Sequence, residues 1–417
     1  MLVKVLLALT VIMITARIVG SLFSRINQPA VIGEVVGGIL LGPSLLGRIA
    51  PETAAVLLPA ETAPVLNVIA QLGVILYMFL VGLELDLGVL RTRLSTTVVI
   101  SQASIVVPFA LGAALALVLF ESLSPGGVTF SSFVLFFGVS MSITAFPVLA
   151  RILGDRGLQK TPMGTLALTC AAINDAIAWC LLAFVVGVMQ ATPTAAIRTV
   201  GLTFVYIAVM LTMGRTLVVR AVTRLDRSAH IGEQTLAFVL VAVLLSAVAT
   251  EFIGIHAIFG AFLLGAIIPH HSRVSKLAHE RLADIVRVLF LPAFFAFTGL
   301  RTEIGLLEGV QDWLLCGVII IVAIVGKFGG TTLAARLMGL DWRDSAALGI
   351  LMNTRGLVEL IVLNIGLDLG VVTPRLFTML VIMALVTTMA TSPILMWLLR
   401  DRPWRVISSS SAQPIIR

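Results

Sequence analysis

From Thr161 to Ile197 the chain carries one charged residue, Asp175, with fourteen uncharged residues before it and twenty-two after it. A stretch of about 20 mainly apolar residues spans a bilayer as a helix. An aspartate at its middle costs roughly 2.5–3.5 kcal/mol on insertion scales, so it needs a partner, a water cavity or a function. The rest of the sequence repeats the apolar pattern. Hydrophobic residues make up 59% of the 417 and charged residues 12%, against about a quarter charged in a soluble domain. Short alternating segments of a β-barrel are absent from the pattern.

Hydropathy and helix breakers predict thirteen helices, at about 3–23, 29–46, 65–83, 95–120, 128–150, 163–190, 198–220, 234–252, 254–270, 284–300, 311–338, 344–367 and 374–400. The 234–270 region reads either as two helices or as one bent helix. The first run resembles a signal peptide, but it is too long and is interrupted by Arg17. Loops after odd-numbered helices, with the tail, hold twenty Lys/Arg; loops after even ones hold four, Arg48, Arg198, Arg301 and Arg375. That bias predicts an outside N-terminus and a cytoplasmic C-terminus, an orientation that requires an odd number of spans. The net charge of +7 lies in these loop clusters and does not point to nucleic acid. The expected organisation is one membrane domain over 1–400 and a short cytoplasmic tail, 401–417, with no soluble regulatory domain. Cys170, Cys180 and Cys316 read as small buried hydrophobes.

Two segments should interrupt their helices. In SMSITAFPVLARI, Ser140, Ser142 and Thr144 precede Pro147, which removes a donor and should free the Ile143 carbonyl. In LMNTRGLVEL, Asn353, Thr354, Arg355 and Gly356 fall mid-span. Freed backbone groups in a membrane must be met by protein, water or an ion. Each interrupted helix is the middle of a triple, and the triples lie seven helices apart, so they enter from opposite sides. This is the pattern of inverted repeats whose broken helices cross near the midplane. The core is expected in 95–190 and 311–400, the remaining helices forming a scaffold. Arg355 and Glu359 stand at i, i+4 and can share a face. Lys327 is a further mid-helix charge. It forms with Asp175 either a pair that locks the bundle or part of an ion site.

In order along the chain, QPAVIGEVVGGILLGPSLLG (28–47), LGVILYMFLVGLELD (72–86), SITAFPVLARIL (142–153), AAINDAIAW (171–179), GIHAIFGAFLLGAIIP (254–269), GKFGGT (326–331) and NTRGLVELIVLNIGL (353–367) resemble the monovalent cation:proton antiporter-2 family of sodium/proton and potassium/proton exchangers. Several are similar to the plant endomembrane members. The resemblance implies an all-α polytopic fold of the sodium/proton antiporter type, with thirteen helices, a dimer scaffold and a mobile core of two crossed broken helices. It implies that Asp175 binds cation and proton in turn, that Lys327 stands near it, and that Ser140 and Thr144 line the ion path. Two departures stand out. Asn174–Asp175 replaces the two aspartates of many electrogenic relatives, and Arg355-Gly356-Leu357 replaces Arg-Gly-Glu, with the glutamate displaced to Glu359.

The reading is therefore a secondary transporter, not an enzyme, exchanging Na+ or K+ for protons without a cofactor. It would act as a homodimer in the lipid of the plasma (inner) membrane. Asp175 is the site for the transported ion, and Asn174 an uncharged ligand or orienting group. The alternatives are a gated potassium efflux protein or an exporter of a larger organic cation or metal–ionophore complex on the same fold. Glu84 and Asp86, Glu251 and His256, and the loop histidines His270, His271 and His279 read as ordinary structural or solvated polar groups.

Overall fold

The structure is a computed structural model that describes residues 1–84, 94–159, 161–189, 193–227 and 232–400. The tail 401–417, Lys160 and the loop with Asp86, Arg91 and Arg93 lie outside the described residues. Among the described residues all regular structure is helical. Among the same described residues, ten helices are long and apolar enough to span a membrane on their own, and a bent pair, Trp342–Met352 with Leu357–Asp368, makes eleven.

The expected count of thirteen is not reached by that measure. The predicted helix 128–150 is two helices, Phe130–Ser142 and Phe146–Asp155. The predicted helix 254–270 is only Ala257–Ile267. Thirteen helical residues rise about 20 Å, short of the ~30 Å hydrocarbon core. The open question at 234–270 resolves as two helices: Gly254 takes a left-handed φ of 94° and ends Glu233–Ile253. Other helices start on side-chain caps. Thr129, Ser272, Asp341 and Thr373 each accept from a backbone N–H three residues on.

The chain divides into two compact units. The first comprises 1–14, 52–90 and 183–297. Its core gathers Leu76, Phe79, Leu80, Val243, Leu264 and Val286. The helices Ala63–Glu84 and Ala257–Ile267 approach backbone to backbone, because a Cβ on Gly82 or Gly265 would fall 2.3 Å from the Phe262 or Phe79 carbonyl oxygen. Several of its polar groups are locally satisfied. Ser246 Oγ donates to the Gly260 carbonyl at 2.7 Å and meets the Tyr206 hydroxyl at 2.7 Å. Glu251 accepts from the Ala257 amide at 2.9 Å and His270 Nδ1 meets the Leu83 carbonyl at 2.7 Å. Glu84 lies 3.7 Å from His279 and 3.9 Å from Arg287.

The second unit comprises 15–51, 91–182 and 298–417. It holds both interrupted segments, Asp175 and Lys327. Its core includes Ile100, Leu149, Ile152, Ala171, Leu348 and Leu351. Polar side chains join its helices: Arg301 donates to Asn364 at 3.0 Å and to Asp368 at 2.5 Å, and Arg375 pairs with Asp312. Cys170 and Cys316 are buried as expected. Cys180 is exposed instead, on the apolar helix Pro162–Met189. Much of the remaining exposure is also apolar, up to 88% at Phe252 and 73% at Val118. Such a surface suits hydrocarbon, not water.

Close packing at Gly265 yields a stability contrast. Gly265→Ala should cost about 1–3 kcal/mol by overpacking. Gly317→Ala meets nothing within 4 Å and should be neutral or gain up to ~1 kcal/mol of helix propensity. Thermal unfolding of the two detergent-solubilised variants checks the ordering.

Candidate ion site at the crossing of two broken helices

The first interruption is a gap of three residues, Ile143 to Ala145, between two half-helices. Pro147 stands beyond the predicted interruption, not inside one kinked helix. It occupies the first turn of Phe146–Asp155, where a missing N–H costs nothing. The carbonyls left without helical donors are therefore those ending Phe130–Ser142, not that of Ile143 alone. All four are met. Val139 accepts from Ser142 Oγ at 2.8 Å. Ser140 accepts from Arg355 Nη1 at 2.9 Å and Met141 from Arg355 Nη2 at 2.7 Å. Ser142 accepts from Lys327 Nζ. Two cations thus sit where the helix dipole is negative.

The second interruption runs through Asn353, Thr354, Arg355 and Gly356, and its half-helices bend by 42°. The two interruptions bond to each other: Thr144 Oγ1 donates to the Met352 carbonyl at 3.0 Å and the Ala145 amide to the Thr354 carbonyl at 2.9 Å. The expected crossing is thereby made in hydrogen bonds. Thr388, from Pro374–Leu399, closes the backbone of Arg355 on both sides, accepting at 2.9 Å and donating at 2.7 Å.

Arg355 and Glu359 pair as the spacing predicted, at 2.9 Å to each carboxylate oxygen. They do so across the end of the gap, with Glu359 in the first turn of Leu357–Asp368, not along one continuous helix. Both side chains are wholly buried. Glu359 therefore belongs to Arg355.

Asp175 differs. It lies mid-way along Pro162–Met189 and is 1% exposed. Neither of its oxygens has a hydrogen-bond partner among the described residues. The Phe146 amide, at the positive end of its half-helix, lies close enough to act on the carboxylate without reaching hydrogen-bond geometry. Lys327 acts on it through space as well. Its ammonium is bonded elsewhere, to the carbonyls of Ser104, at 2.7 Å, and Ser142. A locked Asp175–Lys327 pair is not what the structure contains.

Asn174 donates Nδ2 to Thr144 Oγ1 at 3.1 Å and to Ser104 Oγ at 2.7 Å, leaving its Oδ1 unpartnered. Asn353 Oδ1 and Thr354 Oγ1 at the second interruption are buried and unpartnered too. Thr144 is thus brought to Asn174 as expected. Ser140 enters through its carbonyl; its hydroxyl turns back on Phe136 O at 3.0 Å. Sequence reasoning missed Ser104. Its signal was Pro108, four residues later in the same helix. Buried carboxylate, amide and hydroxyl oxygens without partners make a hard-donor set that suits an alkali cation, not a soft metal.

The chain is of the ion-exchange transporter class: it belongs to the family described as sodium/hydrogen exchanger, transmembrane, whose pattern matches residues 10–400. It is similar to the Na+/H+ antiporter NhaS4 of Synechocystis sp., 46% identical over 91% of this chain and 93% of that one. It is 39% identical to cation/H+ antiporter 18 of Arabidopsis thaliana over 94% of this chain and 48% of that one. It is 36% identical to K+/H+ antiporter 1 of Saccharomyces cerevisiae over 92% of this chain and 45% of that one. The chain spans about half the length of these plant and yeast relatives. Among solved structures, the sodium proton antiporter MjNhaP1 from Methanocaldococcus jannaschii matches with a TM-score of 0.66 at 14% identity, covering 96% of this chain and 97% of that one. At that identity the likeness concerns the fold alone.

The buried ion pair makes its own stability forecast. Arg355→Met leaves a buried carboxylate and two carbonyls without donors and should cost about 3–5 kcal/mol. Glu359→Gln keeps the guanidinium on both carbonyls and should cost less. Thermal unfolding of the two variants in detergent checks the order.

Proposed function

We propose that this chain exchanges a monovalent cation, Na+ or K+, for protons by alternating access, with Asp175 holding the two ions in competition. The observation that carries this reading is a buried carboxylate with both oxygens unpartnered, beside two interrupted helices. A carboxylate at membrane depth is costly while it stays charged and alone. A proton neutralises it; a dehydrated alkali cation neutralises it equally. It cannot hold both. If only the neutralised unit crosses the apolar barrier cheaply, each inward ion requires an outward one.

Asn174 Oδ1 and Thr144 Oγ1 supply uncharged oxygens beside the carboxylate. Arg355 and Glu359 hold the interruptions together and stay out of the exchange. Ser140 contributes its backbone to that frame. The unit containing Asp175 is the transport core, and the other unit is the scaffold of a homodimer. The loop bias of twenty cationic residues against four supports an external N-terminus and a cytoplasmic C-terminus in the plasma (inner) membrane. The names of the relatives from Synechocystis and yeast support Na+ and K+ as the candidate cations.

Reconstitution in proteoliposomes with a pH-sensitive dye provides the test. Wild-type protein should move protons when Na+ or K+ is added. Asp175→Asn, which cannot take up the charge, should reduce that flux by at least a hundredfold, to the protein-free level. Normal exchange by this variant removes Asp175 from the mechanism. Asn174→Ala should retain exchange with a raised KM for the cation.

A further inference from the structure

Pro108 lies inside the helix Leu94–Leu123. A proline has no N–H, and its ring crowds the carbonyl four residues back, here Ser104. Within a membrane that carbonyl must find another donor. The donor is Lys327, whose Nζ lies 2.7 Å from the Ser104 oxygen. The same residue reaches the ion site through its side chain. Ser104 Oγ accepts from Asn174 Nδ2 at 2.7 Å and donates to the Ser101 carbonyl at 2.8 Å. Ser104 is fully buried. One residue therefore holds the ammonium by its backbone and the neighbour of Asp175 by its hydroxyl.

The approach is built on both sides. A Cβ on Gly326 would fall 2.8 Å from Pro108 Cα, so glycine lets the lysine's own helix reach the kink. Lys327 sits in a single π-helical turn, Val325–Gly329, a distortion frequent at functional positions.

We infer that the Ser104–Pro108 step is a positioning device for exchange: the carbonyl freed by Pro108 parks the Lys327 ammonium off Asp175, and so keeps both carboxylate oxygens open to the transported ion. The inference rests on the exchange reading above. A lysine ammonium is a tethered competitor for the cation's place. It is held by two carbonyls, those of Ser104 and Ser142. The charged groups facing it are Arg355, Glu359 and Asp175. Arg355 and Glu359 are bonded to each other, so the carboxylate left for a released ammonium is Asp175. Ser104 thereby acts in two separable ways. Its carbonyl sets where Lys327 rests. Its hydroxyl holds the Asn174 amide nitrogen, which leaves the Asn174 carbonyl oxygen available to the ion.

Two substitutions separate these roles. Pro108→Ala restores an N–H that can close on the Ser104 carbonyl and displace Lys327. Ser104→Ala removes the hydroxyl and leaves the carbonyl. Cation-driven proton flux in proteoliposomes is measured over a pH series for the wild type and both variants, each with and without Lys327→Ala. Cation-dependent thermal stabilisation in detergent gives the same affinity ratios for any variant that does not turn over. Pro108→Ala should raise the apparent KM for the cation about tenfold, the size of one lost charge-assisted hydrogen bond, and displace the pH profile. In the Lys327→Ala background it should change neither. Ser104→Ala should raise the cation KM with or without the lysine. Gly326→Ala, which pushes the lysine helix off Pro108, carries the same test should Pro108→Ala not assemble. An unshifted KM and pH profile, or a shift that persists equally without Lys327, overturns the inference alone. Absence of flux in the wild type overturns the exchange reading and this inference with it.

Discussion

Everything at the centre of this protein depends on how one half-helix ends inside the membrane. Phe130–Ser142 stops at membrane depth with four carbonyls facing no helical donor, and hydrocarbon offers no water to meet them. One hydroxyl and two buried cations meet them instead. Arg355 takes two of the carbonyls and Glu359 balances its charge. Lys327 takes one carbonyl here and another at the kink of the neighbouring helix. The cations that make the interruption tolerable are the same ones that define the charge around Asp175.

That arrangement distributes partners unequally, and the inequality is what gives the site its chemistry. The guanidinium gives its terminal nitrogens to two carbonyls and to Glu359. The ammonium is held by two backbone carbonyls. Asp175, equally buried, has no partner for either oxygen. Buried charges without partners are rare because they are expensive. A buried carboxylate left open beside two interrupted helices is the observation on which the proposed ion site rests.

Much of this was legible in the sequence. Apolar runs announced the membrane, isolated charges marked Asp175, Lys327 and Arg355, and the four-residue spacing put Arg355 with Glu359. The NTRG run and Pro147 marked both interruptions. What the residues could not announce was which backbone carbonyl each cation would take, since every residue carries one. For that reason Ser140 was expected only to line the ion path, with no sign that its carbonyl would take Arg355, and Ser104 was passed over although Pro108 had freed its carbonyl. Pro147 was read as freeing the Ile143 carbonyl from inside a helix, because a proline that starts a second half-helix looks the same in sequence. The count of thirteen is not confirmed by length and apolarity, because hydropathy read from sequence runs across a gap. It does not register that Phe130–Ser142 and Ala257–Ile267 are each too short to cross on their own.

The central claim, that proton and alkali cation compete for Asp175, is tested most directly by counting protons during cation binding. Titration calorimetry of the purified protein in two buffers of different ionisation enthalpy, at a pH where Asp175 is protonated before the cation arrives, gives the number released per ion bound. The account predicts about one proton released in the wild type and none in Asp175→Asn, which should also lose the binding signal. Cation binding without proton release, or release that survives in Asp175→Asn, would contradict it.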